Sequence, residues 1–252
     1  MILKDKGIIL KHSNTGEADR IVTILTQHNG KIRAILKGCR KPKSRFVNTS
    51  ELFTVSEFIL YKGNSDLIQV SQADLKESYF EIRNDLLGLS YATYFAELVD
   101  IAADEDVESE RLFSLLAWAL HYISKKTIGT GLVSLAFQLK LMELTGYKPS
   151  LLRCANCHED VADSEVFSVL MGGMLCKICS PLDRKSKRLS VPARLNMLQT
   201  LDIQMSALES LKIENSAFLE MDKIMVEFIK QHIGRIPKSA SFLDSLKNSG
   251  IT

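Results

Sequence analysis

The stretch Arg20-Ile21-Val22-Thr23-Ile24-Leu25-Thr26, followed by Asn29-Gly30 and then Lys31-Ile32-Arg33-Ala34-Ile35-Leu36-Lys37, decides how the first third of the chain folds. Its first segment is rich in β-branched residues, which pack well on a pleated surface. Its second alternates polar and apolar with roughly period two, so one face is buried and Lys31, Arg33 and Lys37 lie on or near the other. Asn29-Gly30 between them is the pair favoured in a two-residue hairpin turn. Working outward, residues 7–10, 52–61 and 67–71 read as three further strands. Five short strands with tight turns fit a small barrel, and the OB-fold is the leading five-stranded candidate. Residues 1–78 are therefore expected to form an OB-fold nucleic-acid-binding domain, with Phe46, Phe53, Phe58 and Tyr61 in its core. Gly38 and Pro42 make residues 38–44 a loop that presents its cations from a flexible tip.

After Asp74 the apolar spacing changes to that of a helix. Residues 79–103 carry Ile82, Leu86, Leu89, Tyr94, Leu98 and Ile101 at intervals near 3.6. Residues 109–125 read as a second helix with Ser109 as its N-cap, and residues 132–145 as a third, stopped by Gly146 and Pro149. Residues 192–205 and 217–233 are two more. The chain is thus expected to be a multi-domain α+β protein. A mainly α-helical domain (79–150 and 181–240) follows the barrel and encloses a four-cysteine zinc segment (151–180), and a polar tail (241–252) frays. Within the zinc segment, residues 165–171 read as a strand and Gly172-Gly173 as the turn after it.

Four of the five cysteines stand in two CxxC pairs, Cys154/Cys157 and Cys176/Cys179, with 18 residues between the pairs. That spacing matches a four-thiolate zinc site, because each knuckle offers two soft ligands from one tight turn. A closed shell of four cysteines leaves no position for water or substrate, so the zinc is structural. Redox use of these pairs would need a thiolate activated in a βαβ setting, which is not seen. A zinc deaminase would need HxE and PCxxC, but residues 158–160 are His-Glu-Asp, and Arg153 and Leu175 precede the two pairs. No Walker loop, GxGxxG, GxSxG or HExxH occurs, and nothing points to catalysis. The chain shows no export signal and no long apolar run, which points to the cytoplasm and away from a membrane.

Charge is unevenly spread. Residues 1–80 hold 13 Lys+Arg against 8 Asp+Glu, and residues 81–252 hold 19 against 22. From residue 31 to 45 there are seven cations, Lys31, Arg33, Lys37, Arg40, Lys41, Lys43 and Arg45, and no acid. A run of this kind on a barrel that often binds single strands points to a polyanion partner.

Taken in order, these pieces resemble the RecO family of bacterial recombination and DNA-repair mediators over roughly residues 2–235. The resemblance is carried by Gly16-Glu17-Ala18-Asp19-Arg20-Ile21-Val22, Leu25-Thr26 with Gly30-Lys31, and Lys37-Gly38 followed by Arg40-Lys41 and Lys43-Ser44-Arg45. Tyr91-Ala92, Glu97-Leu98, Gly146-Tyr147-Lys148-Pro149, Phe167-Ser168 and Gly172-Gly173 complete it around the four cysteines. It implies a non-enzymatic protein that binds single- and double-stranded DNA and anneals complementary strands. It also implies partnership with RecR and with the acidic C-terminal tail of single-stranded-DNA-binding protein, to load recombinase onto coated DNA at the nucleoid. The family's basic motif maps onto Lys37, Arg40, Lys41, Lys43 and Arg45, and its zinc ligands onto the four cysteines. Cys39 stands where a small residue is usual. The rival expectation is a zinc-ribbon RNA-binding or transcription-associated adaptor without annealing activity.

Overall fold

The computed structural model describes residues 1–63, 67–105, 107–235 and 237–249. Two compact units divide the chain, one of residues 1–126 with 237–252 and the other of residues 127–236.

The first unit is built on a closed barrel of β1 (Ile2–Thr15), β2 (Asp19–Thr26), β3 (Lys31–Leu36), β4 (Val55–Tyr61) and β5 (Ile68–Glu77). Around the barrel the strands run β1-β2-β3-β5-β4. Only the β3–β5 closure is parallel; the other pairings are antiparallel. This is the expected OB-like architecture. β1 is much longer than the four residues expected, because its first half pairs with β4 and its second half with β2. The strand bends at a register shift between Ile9 and Lys11. Gly7 sits where β1 belongs to both pairings, and a Cβ there would lie 2.4 Å from Ile24 Cγ2. Ile9, Val22, Ile24, Ile32, Ala34, Leu36, Phe58, Leu60 and Val70 fill the interior. Phe46 and Phe53 are buried as expected, but Tyr61 is exposed.

The hairpin between β2 and β3 differs from the expected two-residue turn. It spans residues 27–30, with the Thr26 N–H donating to the Gly30 carbonyl at 2.9 Å and Gly30 at φ 68°. The cause lies far away in sequence. The buried Asp5 carboxylate accepts from the backbone N–H groups of His28 (3.0 Å) and Asn29 (3.1 Å) and from Asn29 Nδ2 (2.7 Å). A wider loop satisfies that carboxylate, as a buried charge requires.

Helix α1 (Phe80–Arg83) packs on α2 (Leu86–Ala102) and α3 (Glu110–Lys125), and those two pack beside the barrel. The single helix expected over 79–103 is two, because Asp85 takes an extended conformation and caps α2 by accepting from the Gly88 N–H at 2.9 Å. Ser109 does not cap α3; its hydroxyl instead donates to the Thr26 carbonyl at 2.6 Å.

The second unit holds α4 (Thr130–Leu144), a small sheet of β6 (Val166–Ser168), β7 (Gly173–Met174) and β8 (Lys187–Arg188), then α5 (Val191–Asp202) and α6 (Asn215–Ile233). The chain returns to the first unit with α7 (Lys238–Asn248), which packs on α2. So the tail does not fray at 241. Leu243 and Leu246 are buried, and the Ser239 N–H and hydroxyl both donate to Glu97 Oε2, at 2.9 and 2.8 Å. A polar sequence concealed a two-leucine stripe; residues 250–252, expected to fray too, lie outside the described residues. The helices therefore do not form one domain. α1–α3 and α7 belong with the barrel, and α4–α6 with the cysteine segment. No helix among the described residues is long and apolar enough to cross a membrane.

Candidate nucleic-acid interface and metal centre

Strand β3 sends Ile32, Ala34 and Leu36 into the barrel and leaves Arg33 exposed on the other face. Lys31 shares that parity but is not free. Its Nζ lies 2.5 Å from the Asp100 carbonyl and 3.4 Å from Asp100 Oδ1, while Lys11 Nζ sits 2.8 Å from Oδ2. Asp100, near the end of α2, thus ties two barrel cations to the helices. Arg33, Lys37, Arg40, Lys41, Lys43 and Arg45 all have exposed side chains.

The loop that carries most of them is not the flexible tip expected. Its backbone is fixed at several points. The Gly38 N–H donates to Asp19 Oδ1 at 2.7 Å and the Arg40 N–H to the Ala18 carbonyl at 3.0 Å. Gly38 takes φ 66°, a left-handed geometry that suits glycine. The Ser44 N–H closes a turn on the Lys41 carbonyl at 2.9 Å. Cys39 and Phe46 point inward and join the barrel core, so two apolar anchors hold the loop down. Burial pushes the Cys39 thiol up, which leaves it an unreactive packing residue. Arg45 Nη2 donates to the Ser71 carbonyl at 2.7 Å, with its guanidinium 4.9 Å from the Phe46 ring centre. The loop therefore presents cations from an ordered backbone. With Phe46, Phe53 and Phe58 buried, they offer charge and hydrogen bonds rather than stacking, which suits phosphate.

The four expected ligands come together. The Sγ atoms of Cys154, Cys157, Cys176 and Cys179 all lie within 4.8 Å of one another, with Cys157 and Cys176 3.6 Å apart. A tetrahedron with about 2.3 Å metal–sulfur bonds has edges of about 3.8 Å, so the donor set fits a metal ion. Each knuckle is a backbone turn: the His158 N–H returns to the Cys154 carbonyl at 2.9 Å, and the Ser180 N–H to the Cys176 carbonyl at 2.9 Å. Burial opposes ionisation of Cys154, but N–H donors from Cys157, Cys176 and Asn156 outweigh it and bring the thiol down to about 6. Asn156 Nδ2 also donates to Cys179 Sγ at 3.3 Å. Cys154 is thus prepared to be a thiolate, the form that binds metal. At Cys157 the Glu159 N–H favours the thiolate, but burial and the neighbouring sulfurs outweigh it and push that thiol up to about 12. They also push Cys179 up against the Asn156 hydrogen bond. His158 is exposed at φ 64° and stands outside the cysteine cluster.

The knuckles are held by a strand crossing that only glycine permits. The Met174 N–H donates to the Ser150 carbonyl at 2.8 Å, and a Cβ on Gly173 would lie 2.4 Å from that carbonyl oxygen. The strand expected at 165–171 shrinks to β6, because the chain turns through Gly172 at φ 82°. Sequence reasoning missed Arg194. It is 6% exposed on α5, and its guanidinium donates to the Val161 carbonyl, to Ala162 at 2.7 Å and to Ser164 at 3.4 Å. It organises the loop between the knuckles. An arginine in a helical stripe with Ala193, Met197 and Leu201 is the one trace it leaves in the sequence.

Residues 1–79 match the family described as Recombination protein O N terminal, and residues 83–241 match Recombination protein O C terminal. The chain belongs to the RecO family. DNA repair protein RecO of Acetivibrio thermocellus is 36% identical over 245 residues, covering 97% of this chain and 96% of the relative. Those of Alkaliphilus metalliredigens (35% over 236 residues, 94% and 96% covered) and Symbiobacterium thermophilum (32% over 246 residues, 96% and 97% covered) are similar throughout. The barrel with its basic loop thus corresponds to the RecO N-terminal region, and the cysteine segment lies within the C-terminal one.

Proposed function

We propose that this chain is a non-enzymatic mediator of DNA repair and recombination. It binds single- and double-stranded DNA, anneals complementary strands, and with RecR helps load recombinase onto DNA coated by single-stranded-DNA-binding protein. It engages the acidic C-terminal tail of that coat protein and works in the cytoplasm, at the nucleoid. The observation that carries the reading is the ordered loop of exposed cations, Lys37, Arg40, Lys41, Lys43 and Arg45, continued by Arg33 on β3.

Annealing needs no covalent chemistry. Two phosphate backbones repel each other, and a cationic surface that holds them lowers that repulsion. An ordered loop does so with less loss of conformational entropy on binding than a mobile one. The metal is zinc, held by Cys154, Cys157, Cys176 and Cys179. Four thiolates close its coordination shell, so it supports the fold and activates no water.

The test is annealing of complementary oligonucleotides coated with single-stranded-DNA-binding protein, with and without this protein, across a salt series. Acceleration that fades with salt supports the reading. No acceleration by folded, metal-loaded protein overturns it and favours an RNA-binding adaptor.

A further inference from the structure

Residues 177–188 hold five cations, Lys177, Arg184, Lys185, Lys187 and Arg188, against one acid, Asp183. The acid is turned inward. Asp183 is buried, its Oδ2 accepting from the Ser168 hydroxyl at 2.6 Å and its Oδ1 from the Lys185 backbone N–H at 2.9 Å. It shapes the turn that exposes Arg184 and Lys185. Two of the cations are matched by acids, since Lys187 lies 2.9 Å from Glu227 and Arg188 lies 2.8 Å from Glu165. Lys177, Arg184 and Lys185 are exposed and make no ion pair among the described residues.

These three cations ride on a continuous series of turns that begins at the second cysteine knuckle. The Ser180 N–H donates to the Cys176 carbonyl at 2.9 Å, Leu182 to Cys179 at 3.0 Å, and Ser186 to Asp183 at 3.2 Å. The Ser180 hydroxyl also donates to the Lys177 carbonyl at 3.1 Å. Apolar side chains stand among them: Ile178 is 87% exposed and Leu182 is 60% exposed. Unpaired like charges on a short, fixed segment repel one another, and a polyanion relieves that repulsion.

We propose that the metal-bearing unit carries a second nucleic-acid surface, formed by Lys177, Arg184 and Lys185 with Ile178 and Leu182, which takes a single strand. The inference rests on the annealing reading above. Annealing requires two strands to be held at once, and each compact unit then supplies a cationic surface. Charge mixed with exposed apolar side chains suits a single strand, whose unstacked bases present apolar faces beside the phosphates. A duplex presents mainly phosphate on its outside.

The experiment uses the full, metal-loaded chain and a labelled oligo-dT strand across a salt series. Two knuckle variants are compared: Lys177→Glu/Arg184→Glu/Lys185→Glu and the neutral Lys177→Gln/Arg184→Gln/Lys185→Gln. A barrel-loop variant, Arg40→Glu/Lys41→Glu/Lys43→Glu, runs beside them, and metal content and Tm are measured for each. The expected result is that both knuckle variants keep metal and Tm, that the salt slope of binding falls by about 2, and that affinity at low salt drops about ten-fold or more. Annealing falls as well, and the barrel-loop variant retains residual salt-dependent binding. Wild-type binding by both knuckle variants, with binding lost only in the barrel-loop variant, overturns this inference and leaves the annealing reading intact. So does metal loss in the neutral variant, since the cations would then serve the metal centre. Normal DNA binding with lost affinity for a poly-glutamate probe would assign the surface to an acidic protein and overturn it likewise. A wild-type chain that does not bind oligo-dT overturns the annealing reading, and the inference with it.

Discussion

Lys31 and Asp100 meet twice, through the Asp100 carbonyl at 2.5 Å from Lys31 Nζ and through its carboxylate at 3.4 Å. Both side chains are largely shielded, at 19% and 22% exposed. A lysine that the sequence places in a DNA-binding stripe is therefore a brace between β3 and α2. Lys31→Gln is expected to lower stability by about 1–2 kcal/mol, as loss of a charged hydrogen bond does, while changing DNA affinity less than two-fold or so. Denaturant unfolding and oligonucleotide binding, measured on the same preparation, separate the two effects. A variant with wild-type stability but weakened binding would return Lys31 to the interface.

Asp5 and His28 make stability depend on pH in two windows. Burial alone would raise the Asp5 carboxyl, but hydrogen bonds from Asn29, His28 and Lys6 outweigh it and hold it below the usual carboxylate range. The Asp5 contribution is thus present above the unfolded pKa of about 4 and is lost as pH falls through the depressed folded value. The hydrogen bond to Asp5, 3.0 Å from Nδ1, raises the His28 imidazole. Its contribution is present below about 6.5 and is lost as pH rises through the raised folded value. Tm should therefore decline as pH rises above about 6.5, and His28→Ala should flatten that decline while leaving the acid limb in place. An unchanged alkaline limb in His28→Ala would remove the imidazole from this account.

The barrel and the clustering of the four cysteines are both legible because their signals are local. Period-two alternation over 31–37 sets the face of β3, and two CxxC pairs carry their own geometry. What escaped was set by partners far away in sequence. Asp5 widens a hairpin more than 20 residues on. The Thr26 carbonyl draws the Ser109 hydroxyl away from the cap it would otherwise make. Cys39 and Phe46 convert an apparently free loop into an anchored one, since a core contact leaves no periodic trace inside a Gly- and Pro-containing segment. The tail hides its helix for a related reason. Leu243 and Leu246 are buried where α7 packs on α2, and a window average over polar neighbours hides them.

Metal removal should loosen the segment between the knuckles without unfolding the barrel. The segment is not coreless: Leu151, Val161, Phe167, Met174 and Leu175 are buried, and the Phe167 ring centre lies 5.9 Å from that of Phe228 on α6. The Ala155 N–H also ties the first knuckle to the Met174 carbonyl at 2.8 Å. Apart from that the two knuckles close through short turns, so four sulfur–metal bonds would add much of the local order on the zinc reading. Chelation, or Cys154→Ser, is expected to raise amide hydrogen exchange across residues 150–180 and to leave the β1–β5 amides protected. Unchanged exchange after verified metal loss would mean that the apolar contacts suffice.

Arg194 links α5 to that same segment, and its removal should be felt at the metal. Its guanidinium satisfies the carbonyls of Val161, Ala162 and Ser164 at a buried site. Arg194→Met keeps most of the side-chain volume but takes the guanidinium from the Ala162 and Ser164 carbonyls, while Val161 keeps the Ser164 N–H at 2.9 Å. An unsatisfied buried polar group costs about 1–3 kcal/mol, and part of that is relieved if the loop swings out to water. The loop runs between Cys157 and Cys176, so movement there spreads the two knuckles apart. Arg194→Met is therefore expected to be less stable by about 2 kcal/mol and to release metal to a competing chelator several-fold faster. Arg194→Lys supplies a single donor centre and should recover only part of either loss. Stability lost with no change in metal release would confine Arg194 to packing and uncouple it from the cysteine knuckles.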